Sequence, residues 1–237
     1  MKIFDHFSNL PYLIWQCQFV NRITAAELLS SYLISTINKF NKNERKIAIF
    51  GIPRGGVVVA NVISKRIQSD YRDIILTMRL RSPYNKEASV GAIAEDGSIF
   101  VNEYLVKKLN ISTEYLIKER DYCLKEIEHK RDLYSKKSEK IKTIENISNN
   151  IAVIVDDGSA TGASFIVATN YIRKYNPFKI IMAAPIIPND IFKLLNQGHD
   201  TTITILKPKK NFYYIQQFYK DFKTINENEV INIIKNW

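Results

Sequence analysis

Two adjacent carboxylates, Asp156 and Asp157, stand where an apolar run ends and a loop of small and hydroxyl residues begins (residues 151–164, IAVIVDDGSATGAS). Residues 151–155 show no polar alternation, which suits a strand buried on both faces of a parallel sheet. Gly158 permits a sharp exit from that strand. Ser159, Ala160, Thr161, Gly162, Ala163 and Ser164 are all small, so an anion can approach their backbone closely. A helix is expected over 165–175, and its first turn offers unpaired N–H groups and the positive end of its dipole. Thr161 and Ser164 add hydroxyl donors. The two acids would repel a phosphate, so they should face sugar hydroxyls, with a hydrated Mg²⁺ nearby. The chemistry suggested is the holding of a sugar phosphate. Each fragment also has a plainer reading: Asp-Gly is a common turn, and Ser or Thr after a strand is a common helix cap. The whole run in this order goes well beyond a turn.

A second loop, GIPRGG at 51–56, also follows an expected strand and precedes an expected helix. Pro53, Arg54, Gly55 and Gly56 form its body. Its glycines allow close backbone approach, and successive N–H groups in such a turn make an anion-binding nest. Arg54 offers a planar, permanently charged fork for phosphate oxygens. A tight turn with a solvent-facing Arg is the alternative.

The elements that must position these loops alternate. A helix is expected over 21–40, with Thr24 and Glu27 at capping-box spacing. A strand is expected over 46–50, a helix over 57–67, a strand over 73–79, and a hairpin from 90–95 and 98–101 around Asp96-Gly97. A long helix follows over 113–137, with Leu116, Cys123, Ile127 and Tyr134 on one face and charge elsewhere, read as a solvated face whose lysines and arginines need no ligand. Residues 140–150 connect to the acid-bearing strand. Then come a strand over 179–184, a helix over 189–195, a strand over 201–206, and a last helix over 227–235 announced by Asn226 and Glu229. The alternation predicts an α/β protein with a mostly parallel sheet flanked by helices. Ligands bind such sheets at the carboxyl ends of the strands, which puts both loops on one rim.

With 237 residues and 46% hydrophobic content, the chain can form one sizeable core. No apolar stretch approaches the roughly 20 residues needed to span a membrane. Residues 1–18 contain Asp5, His6 and Asn9 and do not read as a signal peptide. Cys17 and Cys123 lack CxxC spacing, which suggests a reducing, cytoplasmic compartment, and Cys123 on an apolar stripe reads as a buried thiol. Three scattered histidines give no metal-ligand pattern. The formal net charge of +10 is compatible with nucleic acid, an anionic membrane or a polyanionic small substrate, and equally with a Lys-rich compositional bias that carries no function. No RNA-binding signature accompanies it, so it argues little for nucleic acid.

The run VIVDDGSATGAS (153–164) closely resembles the phosphoribosyl-pyrophosphate (PRPP) binding motif of type I phosphoribosyltransferases. The resemblance implies that Asp156 and Asp157 contact the ribose hydroxyls and hold Mg²⁺ through water. It implies that residues 158–164 take the 5′-phosphate. GIPRGG then corresponds to the pyrophosphate loop, where that family often has a non-proline cis peptide. Residues 78–95 (MRLRSPYNKEASVGAIAE) look like the family's catalytic lid. Pro83, Tyr84, Asn85, Glu87, Ala88, Gly91, Ala92, Ala94 and Glu95 follow the pattern of one predicted bacterial and archaeal branch. That branch's Arg-Lys pair is replaced by Met78-Arg79, or by Arg79 and Arg81 around Leu80, so the lid cation is Arg79 or Arg81. A solvated loop position is the alternative for either. FVNRITAAELL (19–29) resembles the family's opening helix, and residues 212–230 resemble its carboxyl-terminal segment.

The resemblance implies a core at about 41–206 and a small hood from the terminal segments. Residues 1–18 and 207–237 would serve as hood or oligomer contacts, with a homodimer usual. The implied activity is Mg²⁺-dependent transfer of ribose 5-phosphate from PRPP to a nucleobase or amine, with release of pyrophosphate. Asp156, Asp157, Arg79, Arg81 and Glu95 would be the catalytic groups. Hypoxanthine-guanine enzymes carry an Asp before the Thr-Gly of the loop, where this chain has Ala160, which argues against that acceptor class. Glu87 or Glu95 could face the base as in adenine-type enzymes, or be a surface acid or the partner of a lid cation. Pro185, Ile187 and Pro188 either line the base pocket or form a plain strand-to-helix turn. Two alternatives stand beside transfer: a non-catalytic PRPP or nucleotide regulator, which could also bind nucleic acid, and a phosphoribosyl hydrolase.

Overall fold

The computed structural model describes residues 18–40, 45–85, 88–136, 147–197 and 200–237. Expectations for residues 1–17, for Glu87 and for most of the 140–150 connector lie outside the described residues.

The unbroken apolar run is β6 (Ile151–Val155), and every residue of it is buried. Side chains alternate across a strand, so the run serves two cores at once. Ala152 and Ile154 face a core shared with Phe165, Ala168, Ile172 and Leu195. Ile151, Val153 and Val155 face one built with Leu29, Leu33, Ile37, Val59, Ala60 and Ile63. The helices supplying those residues are α1 (Arg22–Phe40) and α2 (Gly55–Ile67) on one side, and α5 (Ala163–Arg173) and α6 (Asn189–Leu195) on the other. Between them runs a five-stranded parallel sheet. It is made of β1 (Ile47–Gly51), β2 (Tyr71–Ile74), β6, β7 (Lys179–Ala183) and β8 (Thr201–Ile203), in the order β2-β1-β6-β7-β8.

The strand order reverses direction between β1 and β6. Crevices at such switch points are where open α/β sheets bind ligands. Gly51 is in register with Val155, and the Ile52 N–H donates to the Val155 carbonyl at 2.9 Å. The two loops therefore leave the sheet side by side, as the alternation predicts.

The expected strand over 73–79 is instead two strands in two sheets. β2 ends at Ile74, and β3 (Thr77–Arg81) starts an antiparallel sheet with β4 (Ser89–Ala94) and β5 (Ile99–Val101). Ile75 and Leu76 between them are buried, so no polar break marks the split. A short helix, α3 (Glu103–Lys108), capped by the Asn102 side chain on the Leu105 N–H, has no counterpart among the expected elements. α4 (Thr113–Ser135) buries Cys123, Ile127 and Tyr134 as expected. α7 (Glu227–Lys235) has the Asn226–Glu229 capping box in full. At α1 the cap is Asn21, whose side chain accepts from the Ile23 and Thr24 N–H groups, and Thr24 Oγ1 reciprocates by accepting from the Asn21 N–H and donating to the Asn21 carbonyl. The hairpin packs on α5 through Ala92, Ala94, Ala163 and Val167. It joins α4 and α7 through a third core that includes Leu80, Ile93, Ile127 and Val230. No helix among the described residues is long and apolar enough to cross a membrane.

Candidate active site

The two loops interlock. The Asp156 and Asp157 side chains lie against the backbone of Gly55 and Gly56, the first residues of α2. A Cβ on Gly55 would fall 1.9 Å from Asp157 Oδ2, and one on Gly56 would fall 2.6 Å from the Val155 carbonyl oxygen and 2.9 Å from Asp156 Cα. At Gly56 the obstacle to a side chain is backbone, so glycine is required there by close approach, whereas at Gly55 it is the end of the Asp157 side chain. The Pro53–Arg54 peptide is cis. Arg54 is exposed and makes no ion pair among the described residues.

Both acids have partners. Asp156 Oδ1 accepts from the Asp157 N–H at 2.8 Å. Burial, reinforced by the neighbouring Asp157 charge, holds the Asp156 carboxyl well above the usual carboxylate range, and Arg22 pulls the other way. Asp157 Oδ2 accepts from Arg22 Nε at 2.6 Å. The Asp157 carbonyl accepts from the Tyr219 hydroxyl at 2.7 Å, and the Ile215 side chain sits where a Cβ on Gly158 would be.

The phosphate-loop candidates divide by what their amides do. The Ser159 N–H donates to the Ile186 carbonyl at 3.0 Å, tying the loop to the chain beyond β7. The Ala163 N–H donates to Thr161 Oγ1 at 3.4 Å. The amides of Ala160, Thr161, Gly162 and Ser164 have no partner among the described residues, and Ala160 and Thr161 are exposed. Gly162 turns the chain into α5 with φ of 77°, a left-handed conformation that favours glycine. Four free amides around a helix start make a cradle for an anion.

The lid candidates lie on the antiparallel sheet. Arg79 is exposed. Arg81 is anchored by its backbone: its N–H donates to Glu119 and its carbonyl accepts from the Tyr115 hydroxyl. Glu95 is held elsewhere. Arg131 of α4 donates to both its oxygens, Nε to Oε2 at 2.7 Å and Nη2 to Oε1 at 2.5 Å, and the Leu76 N–H donates to Oε1. Asp73 completes this cluster, 3.6 Å from Arg131 Nη1. Burial pushes the Asp73 carboxyl up to about 6 against the pull of Arg131. Of the three readings of Glu95, the geometry supports that of a partner for a cation, though the cation is Arg131 and not a lid residue. The charge on α4 is correspondingly not all solvated. Ile187 is buried in the sheet core and Pro188 directly precedes α6. Burial also pushes the Cys123 thiol up to about 11, as befits an unreactive core residue.

Arg22, Tyr219, Ile215 and Phe222 are the site residues that motif reading missed. They lie within segments similar to the family's termini, but no local spacing marks them as neighbours of Asp157, which is 135 residues from Arg22.

The phosphoribosyl transferase domain family matches residues 20–223. The chain belongs to that family. A Mycobacterium tuberculosis protein named "Putative phosphoribosyl transferase Rv0571c" is 29% identical over 187 residues, covering 79% of this chain and 41% of the relative. The chain thus spans about two fifths of the length of the curated relatives it matches. The crystal structure of TT1426 from Thermus thermophilus superposes with a TM-score of 0.69 at 25% identity, covering 93% of this chain and 99% of that one. The phosphoribosyl transferase domain here has the type I phosphoribosyltransferase fold, a mostly parallel sheet flanked by helices.

Proposed function

We propose that this phosphoribosyl transferase domain transfers ribose 5-phosphate from PRPP to a nitrogen nucleophile, a nucleobase or an amine, and releases pyrophosphate. The observation that carries the reading is the interlock of the 51–56 loop with Asp156 and Asp157 beside four free amides. One anion cradle follows β6 and a glycine-arginine loop follows β1. The acids lie between them, where a ribose joining two phosphate groups would sit.

In this reading the amides of Ala160, Thr161, Gly162 and Ser164 hold the 5′-phosphate. Arg54 and the 51–56 backbone hold the pyrophosphate. Asp156 and Asp157 orient the ribose hydroxyls and stabilise the positive charge that develops on the sugar ring. Arg79, exposed on β3, is the better candidate for the closing cation, because the Arg81 guanidinium lies over the Tyr122 ring of α4. Among the described residues no three His, Cys, Asp or Glu cluster as a metal cage. Two neighbouring carboxylates fit a Mg²⁺ that takes most of its ligands from substrate and water, so Asp156 and Asp157 would hold it through water. When bound, it neutralises the pyrophosphate charge.

The regulator reading keeps a specific support: Glu95, one of the acids expected to mark an enzyme's lid, is engaged by Arg131. The test is pyrophosphate release from PRPP and Mg²⁺ against a panel of nucleobases and amines. The expected result is release with at least one acceptor, abolished in Asp156→Asn/Asp157→Asn. Tight PRPP binding without release under any acceptor would reject the transferase and favour the regulator.

A further inference from the structure

One side chain joins the acid pair to both terminal segments, and it belongs to neither loop. Arg22, in the first turn of α1, donates from Nε to Asp157 Oδ2 at 2.6 Å and from Nη1 to the Lys223 carbonyl at 2.7 Å. Its Cζ lies 3.7 Å from the centroid of the Phe222 ring. The Arg22 and Asp157 side chains are only 8% and 14% exposed. Tyr219, in the same segment as Phe222 and Lys223, grips the Asp157 carbonyl. Asp157 is therefore held at its carboxylate by α1 and at its backbone by the hood. A Cβ on Gly55 would lie 3.0 Å from Arg22 Nε, so the pair rests directly on the 51–56 loop.

We propose that Arg22 is a positioning residue for the sugar site, holding Asp157 against the 51–56 loop and fastening the carboxyl-terminal hood to the acid pair. A buried ion pair adds little stability over an apolar pair of the same volume, so stability alone gives no reason for it. Orientation does. The guanidinium is a planar fork that can bond in two fixed directions and stack on a ring at once. It engages Oδ2 and so fixes the direction in which the carboxylate is presented to the sugar. Lysine could supply the charge but not both bonds and the stacking. Phe19 and Phe222, in contact with Tyr219 at centroid distances of 5.5 and 5.1 Å, wall off the apolar side of the clamp.

The effect on turnover rests on the transferase reading; the clamp itself does not. The test compares wild type with Arg22→Lys and Arg22→Ala by three measurements. Hydrogen exchange of the ligand-free protein should quicken by about tenfold or more at 157–158 and 219–223 in both variants. The KM for PRPP should rise by about 10- to 100-fold, the loss of one charge-assisted hydrogen bond, with the acceptor KM unchanged. Ethylguanidinium should restore part of the activity of Arg22→Ala and none in wild type. If Arg22→Ala does not fold, Arg22→Lys is read in the same way. Wild-type exchange in both segments overturns the clamp, and a lowered melting temperature with unchanged KM for PRPP overturns the positioning role. A wild type that neither binds PRPP nor releases pyrophosphate rejects the transferase reading instead, and the exchange measurement still decides the clamp.

Discussion

Asp157 occupies the space that a side chain on Gly55 would need: a Cβ there would stand 1.9 Å from its Oδ2 and 2.4 Å from its Cγ. One residue on, a Cβ at Gly56 would instead meet backbone, the Val155 carbonyl at 2.6 Å and Asp156 Cα at 2.9 Å. A carboxylate can swing aside, but a strand in the middle of a sheet cannot. Gly55→Ala should therefore fold, losing about 1–3 kcal/mol as overpacked sites do, while displacing Asp157 from Arg22 and weakening PRPP binding. Gly56→Ala should lose at least as much stability and shift the end of β6. Urea unfolding with calorimetric PRPP titration separates the two. Equal effects of both on stability and binding would contradict the distinction between a movable and a fixed neighbour.

Arg54 sits at the start of α2, exposed and without an ion pair among the described residues. A side chain so placed contributes little to the fold and is available to a ligand. Arg54→Ala should leave the unfolding midpoint unchanged and weaken PRPP and pyrophosphate binding by about 10- to 100-fold, the value of a hydrogen bond between charged groups. Retained affinity for pyrophosphate would reduce the 51–56 loop to a turn.

How legible these features were in the sequence depended on whether their cause was local. The uniform apolar run of β6, the Asn226–Glu229 cap and the helix at 189–195 all declare themselves within a few residues, and the structure has them at the expected places. The split of 73–79 into two strands did not, because Ile74, Ile75 and Leu76 continue apolar across the break. What stops β2 is the end of β1 beside it, with the Ile75 N–H donating to the Gly51 carbonyl. Arg131 looked like one cation among many on a charged helix. Its role exists only because Asp73 of β2 and Glu95 of the turn after β4 are folded against it. Arg22 was hidden in the same way by its separation from Asp157.

The Asp73 carboxyl should make stability depend on pH. Its folded value of about 6 lies above the ordinary 3.8, because burial disfavours the charged form more than Arg131 restores it. The folded state therefore binds the proton more tightly than the unfolded state. That contribution is complete below about 3.8 and is lost as pH rises through about 6. Asp73→Asn keeps an oxygen for the Ile74 N–H and removes the titration. Relative to the variant, wild type should lose of the order of 3 kcal/mol between about pH 4 and pH 7, from about two units of displacement. Urea unfolding at a series of pH values measures it, and parallel curves for the two proteins would show that Arg131 fully compensates the buried charge.

Glu95 and Arg131 should behave as one unit. Arg131 donates through Nε and Nη2 to Glu95 and lies against Asp73, with Glu95 11% and Arg131 24% exposed. Removing the cation strands two buried acids, so Arg131→Met should cost about 3–5 kcal/mol. Glu95→Gln leaves Arg131 with Asp73 and the Ile74 carbonyl and should cost less. The double variant should be less destabilised than the sum of the two, because Arg131→Met no longer strands a charge at position 95. A coupling of about 1 kcal/mol or more in a double-mutant cycle would establish the pair as the anchor of the β3–β4 hairpin on α4. If Glu95 acts instead on the acceptor, Glu95→Gln should lower turnover with an unchanged unfolding midpoint, and the coupling to Arg131 should vanish.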